Sequence, residues 1–238
     1  MTQETPTTFG YLLYPGFALL DVCGPLEIFN ALSALVSIQM SLIALDSLEP
    51  VSTCVSPDSI PGFKGSSMEK MLPMNTLEQK ITPTHTLDTV PELDVLIIPG
   101  GFGGLAASQN PKVLNFIKST KARHILTVCN GSPVLAATGL LDGHKATTNK
   151  WLYETLVASR PQVNWVAKAR WVHDGRFWTS SGVSAGMDLA SAYVREIYGE
   201  KIGELVTDII EYTPELNPDN DPFCGVYKKY PPEALQDL

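Results

Sequence analysis

Cys129 is the side chain best placed for covalent chemistry. It stands between a short apolar run, Ile125 to Val128, of strand length and β-branched character, and a small-residue segment, Ser132 to Gly139, that reads as a helix. Ser132-Pro133 suits a first helical turn, because proline's missing N–H would be unpaired there anyway. The string Cys129-Asn130-Gly131 therefore predicts a sharp strand-to-helix turn, a nucleophile elbow with sulfur in place of a serine oxygen. A thiol at a helix N-terminus feels partial positive charge, which favours thiolate. The competing reading is a buried core cysteine; a Cys-x-Gly turn between two such elements weighs toward a nucleophile.

Other groups converge on the same chemistry. Asp21 is one charge inside the apolar stretch Leu19 to Phe29, at the mouth of a helix expected from Pro25, where Leu26, Phe29 and Leu32 recur at helical spacing. It is either a cap and dipole partner or a carboxyl group that desolvation pushes toward its protonated form. Pro99-Gly100-Gly101-Phe102-Gly103-Gly104 follows the buried strand Leu93 to Ile98 and lets backbone approach a ligand closely. It lacks the spacing of a phosphate loop, so its N–H groups are read as oxyanion donors. Ser180 to Gly186, with Gly182 and Val183, is another small-residue loop leading into a helix. No histidine falls where a base is needed: His85 lies in a surface loop, His124 opens the elbow strand at its far end, His144 is exposed, and His173 neighbours a turn. None of the four makes a metal-ligand spacing with another histidine or with a cysteine, so no metal is expected.

These groups need a scaffold. Strands are expected at residues 9–14, 37–45, 93–98, 125–128 and 145–149, with an antiparallel excursion between 51 and 85. A hairpin turns at Asp174-Gly175 between Val163–Val172 and Arg176–Thr179. Helices are expected at 111–122, where Asn110-Pro111 forms the cap, and at 151–159, 187–198 and 202–212. Trp151, Leu152, Leu156 and Val157 form an apolar stripe assigned to the core. Residues 1–8 are expected to fray, and the tail from Pro214 to be loop draped on the body. The alternation predicts one α/β domain over residues 1–238, with a mainly parallel sheet and helices on both faces. Loops at the carboxyl ends of its strands would build the site.

Composition narrows the classes. The 238-residue chain has a net charge of −8 and no basic run, which argues against nucleic acid or an anionic membrane as partner. No basic-then-apolar leader or bilayer-length apolar run occurs in it. The four cysteines form no Cys-x-x-Cys pair and are read as reduced thiols of a cytoplasmic protein.

At Gly10–Pro25, Ile98–Gly101, Val128–Ser132, Ala137–Thr148 and Ser181–Asp188 the sequence resembles the DJ-1/PfpI superfamily, and within it the isocyanide (isonitrile) hydratase-like branch. The resemblance implies a flavodoxin-like sandwich, a homodimer, no cofactor, and a small electrophile as the substrate. Carried over, Cys129 is the nucleophile, and Asp21 hydrogen-bonds the thiol and handles protons or positions water. The N–H groups of Gly101 and Asn130 bracket the reacting centre, and Gly100, Gly182 and Val183 belong to the substrate pocket. Two departures stand out: Asn130 replaces the threonine of characterised hydratases, and Asn149 stands where many relatives carry histidine after Ala-Thr-Thr. A Cys–His dyad at that position is thereby absent. The alternatives are a glutathione-independent glyoxalase, a cysteine oxidation sensor, and the ligand-binding half of a transcription regulator.

Overall fold

The computed structural model describes residues 4–60 and 77–229. Strand β1 (Thr8–Leu12) leads through helix α1 (Leu19–Ser33) to β2 (Gln39–Ala44). β3 (Val51–Ser52) and β4 (Lys80–Ile81) form a small antiparallel pair, and β5 (His85–Thr86) follows. Next come β6 (Val95–Ile98), the helical turn α2 (Gly104–Ala107), α3 (Pro111–Ser119), β7 (His124–Thr127) and α4 (Gly131–Ala137). β8 (Lys145–Ala146) and β9 (Asn164–Trp165) pair in parallel on either side of α5 (Tyr153–Ala158) in the chain. The hairpin β10 (Trp171–Asp174) and β11 (Phe177–Ser180) precedes α6 (Ala185–Tyr198), α7 (Glu200–Ile209) and a last turn, α8 (Val226–Lys229).

The central sheet has the order β10-β11-β7-β6-β1-β2-β5, and every neighbouring pair is parallel except the β10–β11 hairpin. Strands flanked on both sides need continuous apolar runs, and Val95-Leu96-Ile97-Ile98 is buried at all four positions. From β1 the chain steps to β2, whereas from β6 it steps the other way, to β7. Right-handed crossovers then place the two intervening helices on opposite faces. Accordingly α1 packs with α6 and α7, and α4 packs with α2 and α3. The direction reverses between β1 and β6, so their carboxyl ends open a crevice there. The segments after β1, β6 and β7 carry Asp21, the Gly100–Gly101 loop and Cys129 into it. This is the expected α/β architecture, with its mainly parallel sheet and surrounding helices.

Several expected boundaries move. α1 begins at Leu19, so Pro25 lies inside it and not at its start. Proline cannot donate to the carbonyl of Asp21 one turn earlier, and the Tyr11 hydroxyl donates to that carbonyl instead. Residues 4–8 are anchored and do not fray: Arg123 donates to the Glu4 carbonyl, and the Thr7 and Thr8 N–H groups donate to Asp94 at 2.7 and 3.0 Å. Residues 1–3 lie outside the described part. His85 is in an edge strand paired with Ile43, because β5 runs parallel to β2 and extends the main sheet. Of the excursion between 51 and 85, β3 and β4 pair as expected and residues 61–76 lie outside the described part. The strand expected over 163–172 divides, its first part pairing with β8 and its last with β11. The tail is draped on the body: Glu215 N–H donates to Asp188 at 2.9 Å, and Arg170 N–H donates to the Pro218 carbonyl at 2.6 Å.

Candidate active site

The turn from β7 into α4 is sharp and strained at Cys129. Cys129 has φ +57°, a left-handed conformation that costs a non-glycine residue about 1–2 kcal/mol. Its neighbours hold it there. Cys129 N–H donates to the Ser181 carbonyl at 2.9 Å, and its own carbonyl accepts from Ser132 Oγ at 3.2 Å and Thr148 Oγ1 at 3.1 Å. A Cβ on Gly131 would collide with the carbonyl oxygens of Ile98 and Pro99. Close packing of the new helix on β6 therefore explains the Cys-x-Gly pattern.

Three N–H donors face the sulfur. Asn149 Nδ2 donates to Sγ at 3.2 Å, and the backbone N–H groups of Asn130 and Val183 donate to it as well. Asn149 Oδ1 accepts from Trp151 N–H at 2.9 Å and Leu152 N–H at 3.2 Å. That oxygen is engaged by the backbone, so the amide NH2 is turned toward Cys129. The residue that removes a histidine thus supplies an oriented, non-titrating donor.

Asp21 is fully buried within the first turn of α1. Its Oδ2 accepts from Gly100 N–H at 2.8 Å, and among the described residues its Oδ1 has no partner, so the expected hydrogen bond between Asp21 and the Cys129 thiol is not made: the backbone of the Gly100 loop holds the carboxyl group instead. Burial pushes its pKa from 3.8 up to about 7, against the pull of the Gly100 N–H. Burial, and then the charge of Asp21, also push the Cys129 thiol well above its ordinary value, opposed by the three donors. The thiolate expected from a helix N-terminus is therefore not the resting form, because α4 is only seven residues long and Cys129 is 6% exposed. Once Asp21 takes a proton, its charge no longer opposes the thiolate.

The other expected site residues divide. Gly101 N–H donates to Asn130 Oδ1 at 2.7 Å, and Asn130 Nδ2 donates back to the Gly101 carbonyl at 2.9 Å. This closed pair engages the Gly101 N–H inside the protein, so it does not bracket the sulfur; Val183 N–H takes that place beside Asn130 N–H. Gly100 positions Asp21 and is absent from the cleft lining. The cleft, about 360 Å3, is walled by Phe17, Phe102, Trp151, Leu152 and Val183 around Cys129. Trp151 and Leu152 therefore face the cleft and not the core to which their helical spacing assigned them. Gly182 lines an adjoining hollow of about 380 Å3 that shares Asn149 and Trp151 with the cleft.

Behind the site, Lys150 is buried, with Nζ 2.6 Å from Thr147 Oγ1, 3.0 Å from the Thr148 carbonyl and 3.4 Å from Asp221. Asp221 also accepts from Ser181 Oγ at 2.9 Å, and Ser181 is the residue whose carbonyl holds Cys129 N–H. An acid in a polar tail carries no sequence signal of such a role. The histidines stay away from the cleft: His124 packs on Tyr193, His144 is half-exposed beside Asp174 at 3.3 Å, and His173 lies 3.2 Å from Glu196. Among the described residues no cluster of three His, Cys, Asp or Glu could hold a metal ion, and no helix is long and apolar enough to cross a membrane.

Comparison with known proteins identifies the family and agrees with the fold. The model of the DJ-1/PfpI family matches residues 11–196. Isonitrile hydratase of Pseudomonas putida is 33% identical over 207 residues, covering 86% of this chain and 78% of that protein. The HTH-type transcriptional regulator GbdR of Pseudomonas aeruginosa is 24% identical over 88% of this chain, which spans only 52% of the regulator. A THiJ/PfpI family crystal structure from Pseudomonas syringae superposes with a TM-score of 0.71 at 27% identity, covering 97% of this chain and 89% of that one. The matched span holds Asp21 and every group that faces the sulfur, and the chain belongs to the DJ-1/PfpI family.

Proposed function

We propose that the protein is a cofactor-free hydratase that adds water to an isocyanide through Cys129, releasing an N-substituted formamide. One observation carries the reading: a buried thiol faces three N–H donors and lies within the field of a carboxyl group with a pKa of about 7, without a histidine in the cleft. Similarity to isonitrile hydratase supports the substrate class.

The steps follow from these groups. Asp21 takes the Cys129 proton, and the thiolate attacks the terminal carbon of the isocyanide, forming a C–S bond. Protonated Asp21 returns the proton to that carbon, giving a thioimidate, R–N=CH–S. Water then adds across the C=N bond, its oxygen to carbon and one proton, relayed by Asp21, to nitrogen. Collapse of the adduct transfers the hydroxyl proton through Asp21 to the departing sulfur and breaks the C–S bond. The thiol and the carboxylate are restored, and the sum is R–NC plus water to R–NH–CHO. The amide of Asn149 and the N–H groups of Asn130 and Val183 stabilise negative charge on sulfur whenever it is bare.

The test incubates the protein with an alkyl isocyanide and with methylglyoxal, following formamide and lactate. Formamide that vanishes in Cys129→Ala and falls at least about 100-fold in Asp21→Asn is expected. Lactate in place of formamide would favour the glyoxalase, and turnover that survives Cys129→Ala would sink the mechanism.

A further inference from the structure

The cleft at Cys129 does not end at its own walls. Phe102, Asn130 and Leu152 line it, and the same three residues line a second chamber of about 290 Å3, which also touches Leu105, Ala137 and Leu156. The chamber lies among α2, α4 and α5, and its lining near the shared wall is hydrocarbon. Asn130 is the polar member of that wall, and its amide is closed onto Gly101 by the reciprocal pair of hydrogen bonds. The wall is thereby fixed. Polar side chains also line it, Ser108, Gln109, Thr155 and Ser159, together with Arg160, whose guanidinium is paired with Asp142.

From this continuity we infer that the chamber is the subsite for the substituent of the electrophile, and that the substrate carries an extended apolar group. The inference rests on Cys129 being the nucleophile. An electrophile of only a few atoms would leave the 360 Å3 cleft largely unfilled and the chamber empty, whereas small-molecule sites bury most of their ligand within about 300–1,000 Å3. With its reactive carbon at Sγ, an unbranched alkyl or alkyl-aryl group passes Phe102 and Leu152 and lies along Leu105, Ala137 and Leu156. Phe102, Leu152 and the two small side chains Ala137 and Thr155 then set the length and width of the accepted substrate.

The experiment uses N-alkyl iodoacetamides from methyl to octyl, in which a thiolate displaces iodide to leave a thioether. Peptide mass spectrometry gives the modification rate at each cysteine. Cys23 and Cys224 are exposed and serve as references inside the same molecule. Relative to them, the Cys129 rate should rise about two- to fourfold per methylene until the chamber is full, as expected for burial of hydrocarbon. Thr155→Trp and Ala137→Phe, which fill the chamber from different sides, should each lower the octyl-to-methyl ratio at Cys129 at least about tenfold. Two outcomes would overturn the inference: a Cys129 rate independent of chain length, or a length dependence that both variants leave intact. Isocyanide turnover is measured separately. Length dependence without formamide keeps the subsite and removes the hydratase; formamide without length dependence does the reverse.

Discussion

Replacing Asp21 with asparagine should stabilise the protein while disabling it, and the gain should grow with pH. In its protonated form Asp21 accepts from Gly100 N–H with one oxygen and carries a proton on the other; asparagine reproduces that arrangement without a titration. The carboxyl pKa rises from 3.8 in the unfolded chain to about 7 in the fold. A group whose folded pKa is raised favours the fold fully below the unfolded value, and that advantage is lost as pH climbs through the folded value. At about 1.4 kcal/mol per pKa unit, the charged form costs about 4 kcal/mol above neutral pH and almost nothing below about pH 4. Between about pH 5 and pH 8 the stability of Asp21→Asn relative to the native protein should therefore increase by about 2–3 kcal/mol. Urea unfolding of both proteins at a series of pH values measures this difference, in which every other carboxylate cancels. A difference that stays flat with pH would show that the Asp21 carboxylate is compensated in the fold. Asp21 could then not serve as a base poised near neutrality, and the proton transfers assigned to it would have to be abandoned.

The donors and the elbow give further outcomes. Asn149→Ala removes the amide from Sγ and uncaps Trp151 and Leu152, so Cys129 alkylation should slow about tenfold, with about 1 kcal/mol lost from folding; a stopped thiol-labelling assay and urea melts separate the two effects. Gly131→Ala forces a methyl group against the Ile98 and Pro99 carbonyls, and should cost about 1–3 kcal/mol and misplace the sulfur, read as lost stability together with slowed labelling. Asp221→Ala strands the buried Lys150 ammonium and should cost about 3–5 kcal/mol in urea unfolding; a loss under about 1 kcal/mol would mean that the pair is solvated.

Part of this arrangement is legible in the sequence. Cys129 could be read because an apolar strand, a Cys-x-Gly turn and a small-residue helix are local signals, and Asp21 because a charge in an apolar run is conspicuous. The start of α1 was misread because Pro25 ordinarily marks a helix's first turn; its place inside the helix depends on a Tyr11 hydroxyl from a neighbouring strand, a tertiary contact. Trp151 and Leu152 carried helical spacing, but periodicity identifies an apolar face without saying whether that face meets core or cleft. Asn149 registered only as a missing histidine, since the orientation of an amide is set by what its oxygen binds. The sulfur's environment was misjudged for a similar reason: a helix terminus is visible in sequence, whereas the burial that outweighs it is not.

The link between Asp221 and Lys150 also bears on how the molecule is made. Chains emerge from the ribosome N-terminus first, so the parallel sheet and the elbow strand can assemble while residue 221 is still unsynthesised. Until it arrives, the Lys150 ammonium lacks the carboxylate it pairs with, and Ser181 lacks the acceptor that steadies the loop gripping Cys129. The surroundings of Cys129 are thus completed late. Roughly ninety residues separate Cys129 from Asp221, so the growing chain carries that sulfur in an unfinished setting until the tail closes over Lys150.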